Sequence, residues 1–253
     1  MLFGKNTHNR PALRPVDICL LVDNSKSEEK FFNDIDTSVA EMIESIKTSD
    51  TFKGLDAYFT LITFSDDFSE EKNVITDFTP IGKISAKPLV LSEKYSTNPI
   101  PALRYAVNHT LERVRNWREE GRQPYCPMIY FFTDGVPFPA NNPVTMPDGS
   151  SVKTLGEAFI DEANDIKDHV TNGRLLFVCA GFGQNADIDL LKLLTHDEFV
   201  IDMKDNDTEK LKRFFRNLIP QTPCSDNGFD SEKKLINQMF HTPDQKNKNG
   251  GEN

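Results

Sequence analysis

The chain contains 253 residues, of which 38% are hydrophobic and 27% are charged, a balance that suits one large globular domain or two small ones. Its formal net charge of -10 argues against a nucleic-acid-binding protein, because such a protein presents a basic face to the phosphate backbone. No apolar run approaches the roughly 20 residues that cross a bilayer, so we expect neither a membrane span nor a membrane partner.

The N-terminus and the cysteines indicate the compartment. Residues 1–15 are polar and basic and lack the apolar core of a secretory signal. The four cysteines are scattered, without the paired spacing of a zinc site or a redox motif. We therefore expect buried free thiols and a reducing, cytoplasmic setting.

Strand-like and helix-like segments alternate along the chain. Apolar or β-branched runs predict strands at 16–22, 58–64, 73–78, 128–132, 175–180 and 198–201. Apolar residues at helical spacing predict helices within 28–47, 102–117, 155–170, 188–194 and 208–218. Acidic residues flank the run at 73–78 and Pro80 follows it, which favours an edge strand there.

This alternation predicts the fold class. We expect a doubly wound α/β fold, with a mostly parallel central sheet, helices on both of its faces and one antiparallel edge strand. The predicted organisation is an N-terminal extension at 1–13, one domain at 14–220 and a polar C-terminal tail at 221–253. Within the tail, Leu235, Ile236, Met239 and Phe240 form a helical stripe, which either docks on its own domain or folds against a partner.

Three polar stretches follow predicted secondary-structure elements and together carry the ligands of a divalent cation. Asp23, Ser25 and Ser27 come directly after the first strand, Thr97 lies on a loop before a helix, and Asp134 follows the strand at 128–132. Ligands of open α/β sheets bind outside the carboxyl ends of the strands. Carboxylate and hydroxyl oxygens are hard ligands, which suit Mg²⁺ and leave Mn²⁺ and Ca²⁺ as alternatives.

The order Asp23-x-Ser25-x-Ser27, then Thr97, then Asp134-Gly135, on this strand–helix background, resembles the von Willebrand factor A (VWA) domain with its metal-ion-dependent adhesion site (MIDAS). The resemblance covers residues 17–218 and implies a Rossmann-like VWA fold. The Phe-Phe-Thr-Asp-Gly stretch with its following proline, and the Gly181-Phe182-Gly183 turn, look most like bacterial TerY-type proteins of tellurium-resistance and stress systems.

The resemblance also implies roles for the site residues. The two serines and the threonine would contact the metal directly or through water, while Asp23 and Asp134 would orient bound waters. An Asp or Glu of a partner protein would complete the coordination, and the TerY-like context suggests a phosphatase or a kinase as that partner. The chain departs from the family pattern at Lys26 and Ser96, where glycine is common, and near Glu28, where methionine is common.

The function predicted from these residues is a non-enzymatic, metal-dependent interaction module, because no nucleophile and base are paired near the oxygen ligands. The alternative is a metal-dependent phosphoester hydrolase with Asp23 as the nucleophile. Phosphotransferases of that kind commonly carry a second carboxylate two residues later, where this chain has Ser25. A third hypothesis, a nucleotide-binding domain, lacks a phosphate-binding loop after the first strand.

A second acidic cluster follows the strand at 58–64. It consists of Asp66, Asp67, Glu70 and Glu71, and it reads either as a solvated loop or as a second cation or partner site.

Overall fold

The computed structural model describes residues 13–135, 139–145, 152–184, 186–203, 208–219 and 230–241. Its strands are β1 (Pro15–Asp23), β2 (Asp56–Phe64), β3 (Val74–Pro80), β4 (Met128–Thr133), β5 (Pro143–Thr145), β6 (Val152–Thr154), β7 (Leu176–Phe182) and β8 (Val200–Met203). Its α-helices are α1 (Phe32–Thr48), α2 (Glu70–Asn73), α3 (Ile100–Glu119), α4 (Leu155–Thr171), α5 (Ile188–Leu191), α6 (Thr208–Lys212) and α7 (Asp230–Ile236). Among the described residues, no helix is long and apolar enough to cross a membrane.

Six strands form the central sheet in the order β3-β2-β1-β4-β7-β8. Every neighbouring pair runs parallel except β2 and β3, which are antiparallel. The predicted doubly wound α/β class with one antiparallel edge strand is therefore confirmed. A separate antiparallel pair, β5 and β6, lies in the proline-containing region that precedes α4.

β1 is almost continuously apolar because it lies in the centre of the hydrophobic core. All nine of its residues are buried, as expected for a central strand with helices on both faces. Its even-numbered residues pack on the face covered by α1 and by the π-helical segment Arg213–Leu218, which continues α6. Cys19 and Leu21 pack on the opposite face, with α3 and α4.

Several boundaries differ from the sequence prediction. The helix expected from residue 28 begins at Phe32, because Lys26–Lys30 form a 3-10 turn after β1. The edge strand extends through Pro80, which the edge position tolerates because that residue needs no amide donor. The helix expected at 188–194 is only Ile188–Leu191, and the last strand begins at Val200, after a 3-10 turn.

The described part of the C-terminal segment packs on the domain itself. Ile236 of α7 is buried in the core face that α1 covers, and Leu235, Met239 and Phe240 pack against that face. Of the two alternatives for this stripe, docking on its own domain is the one observed. The remaining tail residues (221–229 and 242–253) and nearly all of the N-terminal extension lie outside the described residues, and the domain boundaries stay predictions.

The end of β1 that lies farthest from the predicted metal loops carries a buried acid. The Trp117 indole N–H donates to Asp17 Oδ2 at 3.0 Å, and Arg113 Nε lies 3.9 Å from Asp17 Oδ1. The Arg113 guanidinium also lies over the rings of Tyr58 and Trp117, at 4.8 and 4.3 Å from their centroids. Burial raises the pKa of Asp17 to about 6, although the Trp117 bond and the Arg113 charge act in the opposite direction.

Candidate metal centre

The carboxyl ends of β1 and β4 bring two of the three predicted stretches together. These strands are parallel neighbours, with Val22 opposite Phe132. Asp23 ends β1 and Thr133 ends β4, so the two side chains meet at one edge of the sheet. The Thr133 hydroxyl donates to Asp23 Oδ2 at 2.8 Å. The sheet topology therefore brings together Asp23 and Thr133, which are 110 residues apart in sequence.

Loop one, defined here as residues 23–27, folds back on Asp23. The Ser25 amide donates to Asp23 Oδ1 at 2.9 Å, and the Ser25 hydroxyl also hydrogen-bonds to this carboxylate. Asp23 and Ser25 are completely buried. Both oxygens of Asp23 thus have a partner within the protein, which fixes the carboxylate in one orientation.

A chain of hydrogen bonds extends from loop one to Asp134. The hydroxyl oxygens of Ser25 and Ser27 lie 2.8 Å apart. The Ser27 hydroxyl in turn hydrogen-bonds to the Asp134 carboxylate. Ser27 is exposed and Asp134 is partly exposed, whereas Ser25 lies below them. The four side chains therefore lead from the buried end of β1 to the surface.

Thr97 reaches the same edge on loop two, defined here as residues 84–99. Backbone hydrogen bonds attach this loop to its neighbours: Lys26 N–H donates to Lys94 O at 2.8 Å, and Asn98 N–H donates to Ser65 O at 2.9 Å. Thr97 lies between these two attachments and is buried. Loop two is therefore held against loop one, and Thr97 lies in the segment between these two attachments.

The hydrogen bonds at this site do not fully offset the effect of burial on the pKa of its two carboxyl groups. Burial, and then the nearby Asp134 charge, raise the pKa of Asp23 well above its ordinary value, against the opposing hydrogen bonds of Ser25 and Thr133. Burial also raises the pKa of Asp134, while its hydrogen bond from Ser27 lowers it. A buried carboxylate with a second carboxylate nearby is a suitable place for a cation.

The residues fit a hydroxyl-rich cation site better than a site made of acids alone. Among the described residues, no three His, Cys, Asp or Glu side chains are close enough to hold one metal ion by themselves. Ser25, Ser27 and Thr97 carry hydroxyl oxygens, a type of hard ligand that Mg²⁺ accepts together with water. The donor set is thus compatible with a divalent cation that has few direct charged ligands.

Glu28, which departs from the family pattern, is not among the ligands predicted from the sequence. The structure places the Glu28 side chain inside the protein, with 1% of its surface exposed. Burial, followed by the charges of Asp134 and Asp23, raises its pKa well above the ordinary value. A signal was present in the sequence, because an acidic residue directly follows the last serine of loop one.

The acidic cluster after β2 has an ammonium partner from loop two. Lys94 Nζ lies 3.2 Å from Asp66 and 2.5 Å from Asp67. This contact favours the interpretation of a solvated loop over that of a second cation site. Among the described cysteines, Cys19 and Cys179 are buried and free, as expected from their apolar runs, and Cys126 is buried and free as well.

Comparison with known proteins identifies the fold. No family model and no curated protein matches the sequence. Solved structures do match: the pilus adhesin SpaC from Lactobacillus rhamnosus GG (TM-score 0.55, 18% identity) and the vWF domain of the pilus tip protein Mfa5 from Porphyromonas gingivalis (TM-score 0.51, 14% identity). A further match is VWA2, the ArnB paralog from Sulfolobus acidocaldarius (TM-score 0.50, 16% identity). The chain has a VWA fold.

The extent of these matches limits what they show. They cover 90%, 83% and 81% of this chain, so the VWA fold accounts for most of its length. Measured on the other proteins, the matches cover 31% of SpaC and 45% of VWA2, so this chain spans less than half the length of each. It spans 95% of the Mfa5 domain. At these identities the likeness establishes the fold alone.

Proposed function

We propose that this VWA domain binds a divalent cation, with Mg²⁺ as first choice and Mn²⁺ or Ca²⁺ as alternatives, through Asp23, Ser25, Ser27, Thr97 and Asp134. A carboxylate of a partner protein completes the coordination. The observation that carries this proposal is the continuous hydrogen-bonded chain from Asp23 through Ser25 and Ser27 to Asp134, at the ends of two adjacent parallel strands. When bound, the cation supplies an electrophilic centre for an incoming carboxylate.

The surface around the site supports an acidic protein partner. Lys26 replaces the small residue common at this position, and its ammonium lies 5.4 Å from the ring centroid of Tyr95 on loop two. Tyr95 and Val90 are among the most exposed large apolar residues in the described part of the chain, at 62% and 72%. A partner segment with an acidic residue next to an apolar one matches both the charge and the apolar surface of this rim.

The wider setting follows from the TerY-like resemblance and is part of the proposal. In that setting the protein acts in the cytoplasm of a bacterium, in a stress or tellurium-resistance system, and its partner is a phosphatase or a kinase. The buried free thiols of the described cysteines are compatible with a reducing compartment.

The alternative of a phosphoester hydrolase with Asp23 as the nucleophile is less well supported. Asp23 is completely buried, and its two oxygens accept hydrogen bonds from the Ser25 amide and the Thr133 hydroxyl. A nucleophilic carboxylate needs an oxygen open to its substrate. The position two residues later, Ser25, offers no carboxylic acid. These features favour an interaction module.

Calorimetric titration with Mg²⁺ and with Mn²⁺ tests the metal site. We expect the wild type to bind one equivalent, and Asp23→Ala and Thr97→Ala to bind at least tenfold more weakly, since Thr97 is expected to contact the metal and Asp23 to orient its bound water. Asp34→Ala, a change of an exposed acid on α1, is the matched control and retains wild-type affinity. Identical titrations for all four proteins would refute the metal site.

The partner is tested separately by capture from a cell lysate. Proteins retained by the wild type in Mg²⁺ are expected to be lost in EDTA and with Asp23→Ala, but retained with Asp34→Ala. Partners that stay bound in EDTA would show that the interaction does not pass through the cation. A phosphoester substrate that is turned over by the wild type and not by Asp23→Asn would favour the hydrolase instead.

A further inference from the structure

Glu28 differs from its chain neighbours in the direction of its side chain. It lies in the 3-10 turn Lys26–Lys30, where its amide donates to Ser25 O at 3.1 Å and its carbonyl accepts from Phe31 at 2.8 Å. Only 1% of its surface is exposed, whereas Glu29 and Lys30 are exposed. The 3-10 turn that follows Ser25 therefore directs one acidic side chain into the protein.

The buried carboxyl group has an oxygen without a hydrogen-bond partner. Among the described residues, nothing donates to Glu28 Oε1. The charges that act on it most strongly are those of Asp134 and Asp23, both of its own sign. A buried carboxylate without a partner is costly, and an apolar side chain of the same length would avoid that cost. A nearby cation would remove the cost and give Glu28 a function.

The role of Glu28 rests on the cation site proposed above and extends it. We propose that Glu28 is a third carboxylate of that site, which strengthens the binding of the divalent cation through an ion-bound water. A contact through water is compatible with the described residues, in which no three acidic, His or Cys side chains form a group that could hold one ion directly. Mg²⁺ commonly keeps several of its waters in proteins, so such a contact needs no direct bond to the metal.

The charge balance around the site changes as a consequence. Lys26 adds a positive charge beside the predicted ligands, which opposes cation binding, and Glu28 supplies the compensating negative charge from the buried side. The site then holds its ion before a partner arrives, so cation binding and partner binding are separable steps. An arrangement with only Asp23 and Asp134 would depend more strongly on the partner's carboxylate.

Titration with Mg²⁺ alone and with Ca²⁺ alone tests Glu28, using wild type, Glu28→Gln and Glu29→Gln. Gln retains the size of the side chain and removes its charge, so we expect at least a tenfold loss of affinity for both ions. Glu29→Gln is the matched control, because it removes the same charge from the exposed neighbour, and its affinity stays within twofold of wild type. An affinity of Glu28→Gln within twofold of wild type would overturn the proposal.

Urea unfolding in EDTA separates this effect from a loss of structure. Without metal, Glu28→Gln is expected to be at least as stable as wild type, because it removes a buried charge near two like charges. Weaker ion binding by an equally stable protein is a result that a purely structural role does not give. Glu28→Met, which also lacks the charge, provides a second variant should Gln disturb the turn, and it is expected to lose affinity equally.

The two proposals fail in different ways. Should the wild type and Asp23→Ala titrate identically, the cation site itself is refuted and Glu28 has no role in it. Should Asp23→Ala lose binding while Glu28→Gln and Glu28→Met keep it, only the role of Glu28 is refuted.

Discussion

The buried Asp17 at the start of β1 makes a quantitative prediction for the stability of the fold. Its pKa is about 6 in the folded protein, against an ordinary value of 3.8. The folded state therefore holds this proton over a pH range in which the unfolded chain has released it. The difference of about two pH units corresponds to about 3 kcal/mol in the free energy of unfolding.

The sign follows from proton binding in the two states. Below pH 3.8 both states are protonated, so Asp17 imposes no charge-burial cost. As the pH rises toward 6, the unfolded state binds fewer protons than the folded state, and the free energy of unfolding falls. Above that range both states are ionised and the loss is complete. Of the total, about 2 kcal/mol is expected to develop between pH 4 and pH 7.

The test is urea unfolding of wild type and Asp17→Asn between pH 4 and pH 7. Unfolding is monitored by circular dichroism, with EDTA in the buffer. Asn is neutral and its side-chain oxygen still accepts the Trp117 N–H, so the variant lacks this part of the pH dependence. We expect the stability of wild type relative to Asp17→Asn to fall by about 2 kcal/mol over this range. The site carboxyls add the same pH dependence to both proteins and cancel in the difference.

Asp34→Asn, which changes an exposed acid on α1, serves as the control for a substitution away from Asp17. Parallel profiles for wild type and Asp17→Asn would refute the reasoning, since they would mean that burial of Asp17 costs nothing.

Two further substitutions test how neighbouring elements are packed and capped. Gly181→Ala places a Cβ 2.7 Å from Ile188 Cδ1 and is expected to lower the free energy of unfolding by about 1–3 kcal/mol, whereas Gly82→Ala, with nothing within 4 Å, changes it little. Thr154 caps α4 in a capping box, so Thr154→Ala is expected to cost about 1 kcal/mol in urea unfolding, and Thr154→Ser, which keeps the hydroxyl, much less. Equal stabilities within either pair would contradict the geometry.

The strands were the most predictable part of the fold. The run at 16–22 is apolar on both faces, and this pattern is sufficient to predict a central strand covered by helices. The order of the strands is harder to predict from the sequence, because it depends on which distant apolar segments pair with each other. Asp17 interrupts the apolar run in the sequence, and its partner Trp117 lies 100 residues further along the chain. Spacing within one segment contains no information on such a contact.

The meeting of Asp23 and Asp134 could be predicted for a similar reason, since both residues follow strands whose carboxyl ends lie at one edge of the sheet. The burial of Glu28 could not be predicted, because it depends on a 3-10 turn that replaces the first turn of the expected helix. On an α-helix begun at residue 28, the same side chain would have served as an ordinary acidic residue of the first turn. The local backbone geometry decides between these roles.

The position of Trp117 has a practical consequence for spectroscopy. It is the only tryptophan in the chain, and it is buried against two arginine side chains at the start of β1. Its partner Asp17 lies six residue steps before Asp23 along the extended strand, a span of about 20 Å. Indole fluorescence therefore reports on opening of the sheet and is expected to stay constant while an ion enters the far rim. One intrinsic probe thus distinguishes unfolding from occupancy without any label.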